Sequence, residues 1–203
     1  MAAKPANQRL VNRDIAEIAR EAGRDPVDVI FDLALEEDLE TAFLGKFLNV
    51  VEDGVGPLLK DEAGVVALSD AGAHLVYMCD AGFGLHFLAR WVRERGLFDL
   101  VDGVRRLTSH QADLYGIEGR GRIEVGAHAD LLLFDPATVG VSPARRVADL
   151  PGGGRRTVRD PMGVHGVFVN GVRVFDGQDY VRHERGPGRV LDRFRRVEGP
   201  LPR

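Results

Sequence analysis

The sequence predicts an α/β fold up to about residue 120 and a mainly β segment after it. Three observations carry this expectation. Apolar residues recur at helical spacing in most of the first 115 positions. A continuous apolar run at 64–69 fits a strand covered on both faces. Two β-rich runs near the end are joined by Asn170-Gly171. The 203 residues, 44% hydrophobic and 29% charged, suffice for one large domain or a domain and a half. A net charge of −4, from 27 basic and 31 acidic residues, gives no general attraction to nucleic acid or anionic lipid, so neither is expected as a partner. The single cysteine excludes an intramolecular disulfide and a Cys-cluster zinc site, and suits a reducing compartment. No apolar run approaches the roughly 20 residues that span a bilayer. The N-terminus also lacks the apolar stretch of a secretory signal. A soluble, cytoplasmic protein is expected.

The elements follow in order. Asp14 and Glu17 have the spacing of a capping box, with Ile15, Ile18, Ala19 and Ala22 on one helical face and Gly23 as the stop. Asp25-Pro26 starts a second helix whose apolar face is Val27, Ile30, Phe31, Ala34 and Leu35. The segments 41–44 and 47–51 fit either short strands or loop anchors. After the run at 64–69, Leu85, Leu88, Ala89 and Val92 mark a helix. Val101, Val104 and Leu107 mark another, and a short one ends near Tyr115-Gly116. Beyond Gly119-Arg120-Gly121 a strand is expected at 129–134. A long Pro-, Gly- and Arg-rich loop is expected at 142–159, then a hairpin of 164–170 with 172–175, then an extended tail from Arg182.

The chemistry centres on Ser69-Asp70-Ala71-Gly72-Ala73-His74. A strand at 64–69 puts Asp70 at its carboxyl end, the face on which α/β barrels build active sites. A carboxylate there can ligate a divalent metal, or take a proton from a metal-bound water and return it to a leaving nitrogen. It can equally cap the following turn. His74 fits either a substrate-facing or a structural role. Cys79 has no evident partner base and is read as inert, and Asp80 as a helix cap. His110 belongs to a helix start, His128 to the surface, Trp91 to packing, and Arg145, Arg146, Arg155, Arg156 and Arg159 to a solvated loop.

Several further pieces follow the Ser-Asp motif in order: Cys79-Asp80-Ala81, Trp91-Val92-Arg93-Glu94-Arg95-Gly96, Leu107-Thr108-Ser109, Gly119-Arg120-Gly121, Gly126-Ala127-His128-Ala129-Asp130-Leu131 and Val169-Asn170-Gly171. The ordered set closely resembles the C-terminal portion of amidohydrolase-superfamily enzymes of the D-aminoacylase type, the N-acyl-D-amino-acid deacylases, from about residue 10 to about residue 190. The resemblance implies a metal-dependent hydrolase with a TIM-like (β/α)₈ barrel and a small β-sandwich. Residues 1–120 would form the C-terminal part of the barrel. Residues 121–203 would give a β-rich segment of the composite sandwich, with an extended tail. It implies zinc as cofactor and a small-molecule N-acyl-D-amino acid as substrate. Asp70 would be both metal ligand and catalytic proton shuttle, and His74 would bind substrate.

The sequence also departs from that pattern. The six histidines, at 74, 86, 110, 128, 165 and 183, include no His-x-His pair, whereas a catalytic zinc takes about three protein ligands. The resemblance therefore implies that the chain corresponds to the final third to half of such an enzyme, inactive alone. Self-association or a partner chain would complete the barrel. Where the relatives have Thr-Ser-x-Pro-Ala, this chain has Thr108-Ser109-His110-Gln111-Ala112. The alternatives are a catalytically silent folding or association module and a cyclic-amide hydrolase of the same superfamily.

Overall fold

Two aspartates start the first two helices. In the computed structural model, which describes residues 2, 4–45, 49–67, 69, 72–73, 75–76, 78–192 and 194–195, Asp14 accepts from Ala16 N and Asp25 from Val27 N. These caps begin α1 (Ile15–Ala22) and α2 (Pro26–Glu36), and Gly23 ends α1 in the left-handed conformation at φ 60°. The chain divides into two compact units, Met1–Val50 and Val51–Arg203.

In the first unit a 3-10 turn (Pro5–Leu10) precedes α1, which packs on α2. The inward face of α2 differs from the sequence expectation. Val29 and Glu37 are buried and Ile30, Leu33 and Ala34 half-buried, while Val27, Phe31 and Leu35 face outward. A helix with apolar residues on more than one side leaves the choice of inward face to its partner. Glu37, the residue that follows α2, is buried too, and its carboxylate accepts from Lys4 N and Asn7 Nδ2. Residues 41–45 and 49–51 are irregular.

The second unit opens with α3 (Glu52–Lys60), which the sequence reading misses because Gly54, Gly56 and Pro57 all lower helix propensity. Next come α4 (Phe83–His86) and a π-helical stretch, Phe87–Glu94, closed by the bond from Arg95 N to Arg90 O. α5 (Leu100–Leu107) and α6 (Ser109–Tyr115) follow, the latter ended by left-handed Gly116. The core of this unit is Phe87, Trp91 and Phe98, with Val55, Leu59, Val66, Val92, Leu97 and Leu107 packed against it. The Phe87 and Phe98 rings lie 5.2 Å apart between centroids. Trp91 is thus a packing residue, as expected. Gly103 allows α5 to approach the π-helical stretch, since a Cβ there would lie 2.4 Å from Val92 Cγ2. An arginine network ties the start of α3 to this core: Arg90 grips Glu52 through two bonds of 2.8 and 2.7 Å, and Arg95 reaches Glu52 and Asp53.

The expected strand at 64–69 is not formed in its described residues, 64–67 and 69. A strand exists only through a ladder partner, and the carbonyls of Gly64 and Val66 face side chains of α6 instead.

Among the described residues the strands all follow position 130. β1 (Leu131–Phe134), β6 (Val164–Val169) and β7 (Val172–Phe175) form an antiparallel sheet in the order β1-β6-β7. Asn170 and Gly171, at φ 49° and 80°, form the expected hairpin turn, and both φ values suit a primed two-residue turn. Arg120 pins this turn by pairing with Asp130 and donating to Asn170 Oδ1. Short strands β2 (Gly140–Val141) and β5 (Pro161–Met162) pair with each other.

The expected loop at 142–159 contains a second hairpin, β3 (Arg145–Leu150) with β4 (Gly154–Val158). Its polar composition hid it. Arg156 pairs with Asp149 across the two strands, and Arg145 at the start of β3 pairs with Asp160, two residues beyond β4. Asp80 does not cap α4 with its side chain; its backbone carbonyl accepts from Phe83 N. Among the described residues no helix is long and apolar enough to cross a membrane.

Two outcomes follow for the second unit. Phe98→Ala is expected to cost about 3–5 kcal/mol in urea unfolding by emptying the aromatic core; a loss under 1 kcal/mol would contradict the assigned packing. The Arg90 and Arg95 bonds lower the Glu52 pKa to about 2 from an ordinary 4.5. The stabilisation this gives is full above pH 4.5 and is lost as pH falls through about 2. Unfolding midpoints measured down that range should drop more steeply for the unsubstituted protein than for Glu52→Gln. Parallel curves would refute the linkage.

Candidate functional site

The expected site residues Asp70 and His74 both lie outside the described residues. The structure describes the chain on either side of them, and both flanks are held by side chains from distant positions.

The upstream flank begins where α3 ends. The last carbonyls of a helix have no acceptor role within it and need donors from elsewhere. Arg106 of α5 supplies them: its guanidinium, 1% exposed, donates from Nη2 to Leu59 O at 2.6 Å and to Asp61 O at 2.8 Å. A cation at this end of a helix is also favoured by the helix dipole. Beside it His110, 5% exposed, has Nε2 3.2 Å from both Arg106 Nη1 and Gly64 O, with Nδ1 3.4 Å from Glu62 Oε2. According to its tautomer, Nε2 accepts from Arg106 or donates to Gly64 O, but not both. Gln111 completes the series by donating from Nε2 to Val66 O at 2.5 Å and to Arg106 O at 3.3 Å.

Glu62 balances the charge of this cluster. Arg105 bonds it at 2.6 Å, and Arg106 lies 3.5 Å away. The Arg105 bond holds the Glu62 carboxyl below its ordinary range, with the charges of Arg105, Arg106 and His110 adding to it against the effect of burial. The buried positive charge of Arg106 has two carbonyls and, at 3.5 Å, a carboxylate around its Nη groups, while its buried Nε makes no hydrogen bond.

The downstream flank is held by β4. Thr157, 3% exposed, donates its N–H to Leu75 O at 2.7 Å and its hydroxyl to Val76 O at 3.0 Å. Between the flanks Gly72 takes φ 94°, a conformation that side chains rarely adopt. Val66, held by Gln111, and Leu75, held by Thr157, thus bound the stretch of sequence that contains Ser69-Asp70.

Other sequence candidates stand elsewhere. Cys79 is a half-buried free thiol. His128 is exposed, as expected. His110 does start α6, but it is also a buried member of the cluster above. Sequence reading missed Arg106, Gln111, Glu62 and Thr157. Gly103 and Arg106, three apart on α5, are both buried, whereas His110 lies on α6 beyond the non-helical Thr108, so no single helical spacing signals the cluster.

Residues 6–175 match the Amidohydrolase family. The chain belongs to this family. The D-aminoacylase of Alcaligenes xylosoxydans xylosoxydans is 31% identical to it over 194 residues, covering 91% of this chain and 34% of that protein. The N-acyl-D-aspartate deacylase of the same organism is 31% identical over 188 residues, covering 88% of this chain and 32% of that protein. A crystal structure of D-aminoacylase, described as defining a novel subset of amidohydrolases, shares the fold at a TM-score of 0.51 and 30% identity, covering 93% of this chain and 36% of that one. A second D-aminoacylase structure, concerned with a binuclear metal centre, matches at 0.51 and 30% over 95% of this chain and 37% of that one. The chain spans about a third of the length of the curated relatives it matches.

For this amidohydrolase-family chain a metal site can be tested directly. Among the described residues no three His, Cys, Asp or Glu side chains converge to hold an ion. The described residues therefore do not fit a metal by themselves.

The two flanking anchors should differ in strength. Arg106→Met is expected to cost about 3 kcal/mol or more, because it strips donors from the Leu59 and Asp61 carbonyls and leaves Glu62 short of a partner. Thr157→Val, which removes one hydroxyl bond, should cost about 1–2 kcal/mol. Urea unfolding of both variants checks this, and an equal or reversed order would contradict the burial of Arg106.

Proposed function

We propose that this chain supplies part of a zinc-dependent amidohydrolase that hydrolyses the amide bond of N-acyl-D-amino acids. The observation that carries the reading is the family match over 6–175, joined to 31% identity with a D-aminoacylase over nearly the whole chain. In this reading residues 1–120 contribute the last β/α units of a TIM-like barrel, and residues 121–203 contribute strands to a small β-sandwich. The protein acts in the cytoplasm on a small-molecule substrate. Since the described residues hold no ligand set, Asp70 is the one zinc ligand proposed for this chain, and the chain alone is inactive until self-association or a partner chain completes the barrel.

The chemistry assigned to the chain rests on Asp70 and His74. Asp70 takes a proton from the water that attacks the acyl carbon. The C–N bond then breaks, and Asp70 returns that proton to the departing nitrogen. The products are a carboxylate and a free D-amino acid. His74 binds the substrate. The described residues contribute by fixing the two flanks of the Asp70 segment, and orientation of this kind is a large part of the advantage of a bound over a free reactant.

The test is hydrolysis of N-acetyl-D-amino acids by the zinc-loaded holoenzyme that contains this sequence. Asp70→Asn is expected to lower kcat by about 10²–10⁴-fold, the usual contribution of a general acid-base group, with an unchanged circular dichroism spectrum. Near-normal turnover by Asp70→Asn would refute the assigned role. Turnover of a cyclic amide in place of the N-acyl substrates would refute the substrate class.

A further inference from the structure

We propose that the outer face of α2 is a docking surface for an amphipathic helix of a partner protein, one whose apolar row is flanked by lysine or arginine. Docking at α2 is independent of the deacylase reading above.

Within the first unit α1 packs against α2, yet only one side of α2 is covered. On that side Val29 is 4% exposed and Ile30, Leu33 and Ala34 are half-buried. On the other, Val27, Phe31 and Leu35 are 57%, 62% and 67% exposed. Four residues of an α-helix turn about 40° past a full circle, so these three side chains lie within about 80° of one another, in a row about 12 Å long. Exposed apolar residues scattered singly are ordinary on a protein surface. Three of them aligned on one face, with a phenylalanine in the middle, mark an interaction surface.

Charge defines one edge of this row. A carboxylate follows each of its members: Asp28 after Val27, Asp32 after Phe31 and Glu36 after Leu35. One position on is about 100° further round the helix, so the three form an acidic ridge along the row. Arg24 pairs with Asp32, and Lys4 is taken up by Asp38 and the Glu36 carbonyl. Among the described residues Asp28 has no ion pair. The ridge therefore stays negative, with three carboxylates against one guanidinium.

An apolar row with an acidic edge selects among occupants. A strand gains no ladder from a helix, whose backbone groups are already bonded within it. An anionic membrane surface repels the ridge, and helices that lie on such surfaces carry lysine and arginine beside their apolar face instead. A second copy of α2 laid antiparallel across the row would bring its own acidic ridge to the same side as the first. A helix packed along α2, with apolar side chains between Val27, Phe31 and Leu35 and basic ones over the ridge, matches both features.

The test titrates the full chain into two labelled synthetic peptides of about 18 residues, long enough to form a helix, and follows fluorescence anisotropy. Both carry the same leucine row, flanked by lysine in one and by glutamate in the other. The lysine peptide is expected to bind at least about tenfold more tightly, with an advantage that shrinks as salt rises. Asp28→Lys combined with Asp32→Lys should reverse the order of the two peptides. Phe31→Ser should weaken binding of the preferred peptide by about tenfold or more. Since Phe31 is exposed, its circular dichroism spectrum should not change, and Leu35→Ser gives a second variant in the same row. Equal binding of the two peptides overturns the proposal, as does an order that the charge reversal leaves in place. Affinities that neither serine variant lowers overturn it too. Either rival occupant does the same: a dimer in sedimentation that Phe31→Ser dissolves marks a second copy, and binding to phosphatidylcholine–phosphatidylserine vesicles that Phe31→Ser abolishes marks a membrane.

Discussion

A guanidinium group removed from water constrains the second unit more than any other feature. Arg106 is 1% exposed, and a charge in that position costs several kcal/mol unless its surroundings replace the lost hydration. The replacement comes from the end of α3, whose final carbonyls lack partners within the helix and accept from Arg106. The Nη groups are met in this way, while the buried Nε is not. The consequence is geometric: α3, the flank that follows it and α5 cannot move apart without leaving a buried cation short of its two carbonyl partners and the Leu59 carbonyl without this donor. His110, Gln111 and Glu62 extend the same arrangement along the chain toward the Ser-Asp motif.

What the sequence made legible was mostly local. The caps at Asp14 and Asp25, the left-handed stops at Gly23 and Gly116, and the Asn170-Gly171 turn each depend on residues within a few positions, and each stands where its local chemistry puts it. Elements that depend on distant partners were harder. The apolar run at 64–69 has strand composition, yet its Val66 carbonyl is taken by Gln111, 45 positions away. The β3–β4 hairpin has the composition of a solvated loop because the partners that hold it are arginines and aspartates. α3 was hidden by two glycines and a proline whose cost is offset by packing and by the grip of Arg90 and Arg95 on its first turn. The inward face of α2 was misjudged because the helix carries apolar residues on more than one side, and the side that holds Val29 is the one that goes inside.

The candidate site divides in the same way. Asp70 and His74 were singled out by motif and by resemblance, and both stand within the stretch 6–175 that matches the family. The supports on either side of them could not be read in advance. Arg106 looks like one more exposed arginine beside Arg105, and Thr157 sits in a stretch of polar residues. Their importance arises only when the fold brings 106 to 59 and 157 to 76. Residue types suited to chemistry announce themselves in the sequence, whereas the residues that hold neighbouring backbone are ordinary until folded.

The central claim, that side chains of α5 and α6 grip the carbonyls of the 59–66 flank, can be measured without any assay of turnover. Nuclear magnetic resonance detects scalar coupling across a hydrogen bond, from a donor nitrogen to the carbonyl carbon that accepts from it. The account predicts couplings from the Arg106 guanidinium to the carbonyl carbons of Leu59 and Asp61, and from Gln111 Nε2 to that of Val66, with the Arg106 protons exchanging slowly with water. Arg106 and Gln111 side-chain protons that exchange at the rate of a free arginine or glutamine, with no such couplings, would contradict it.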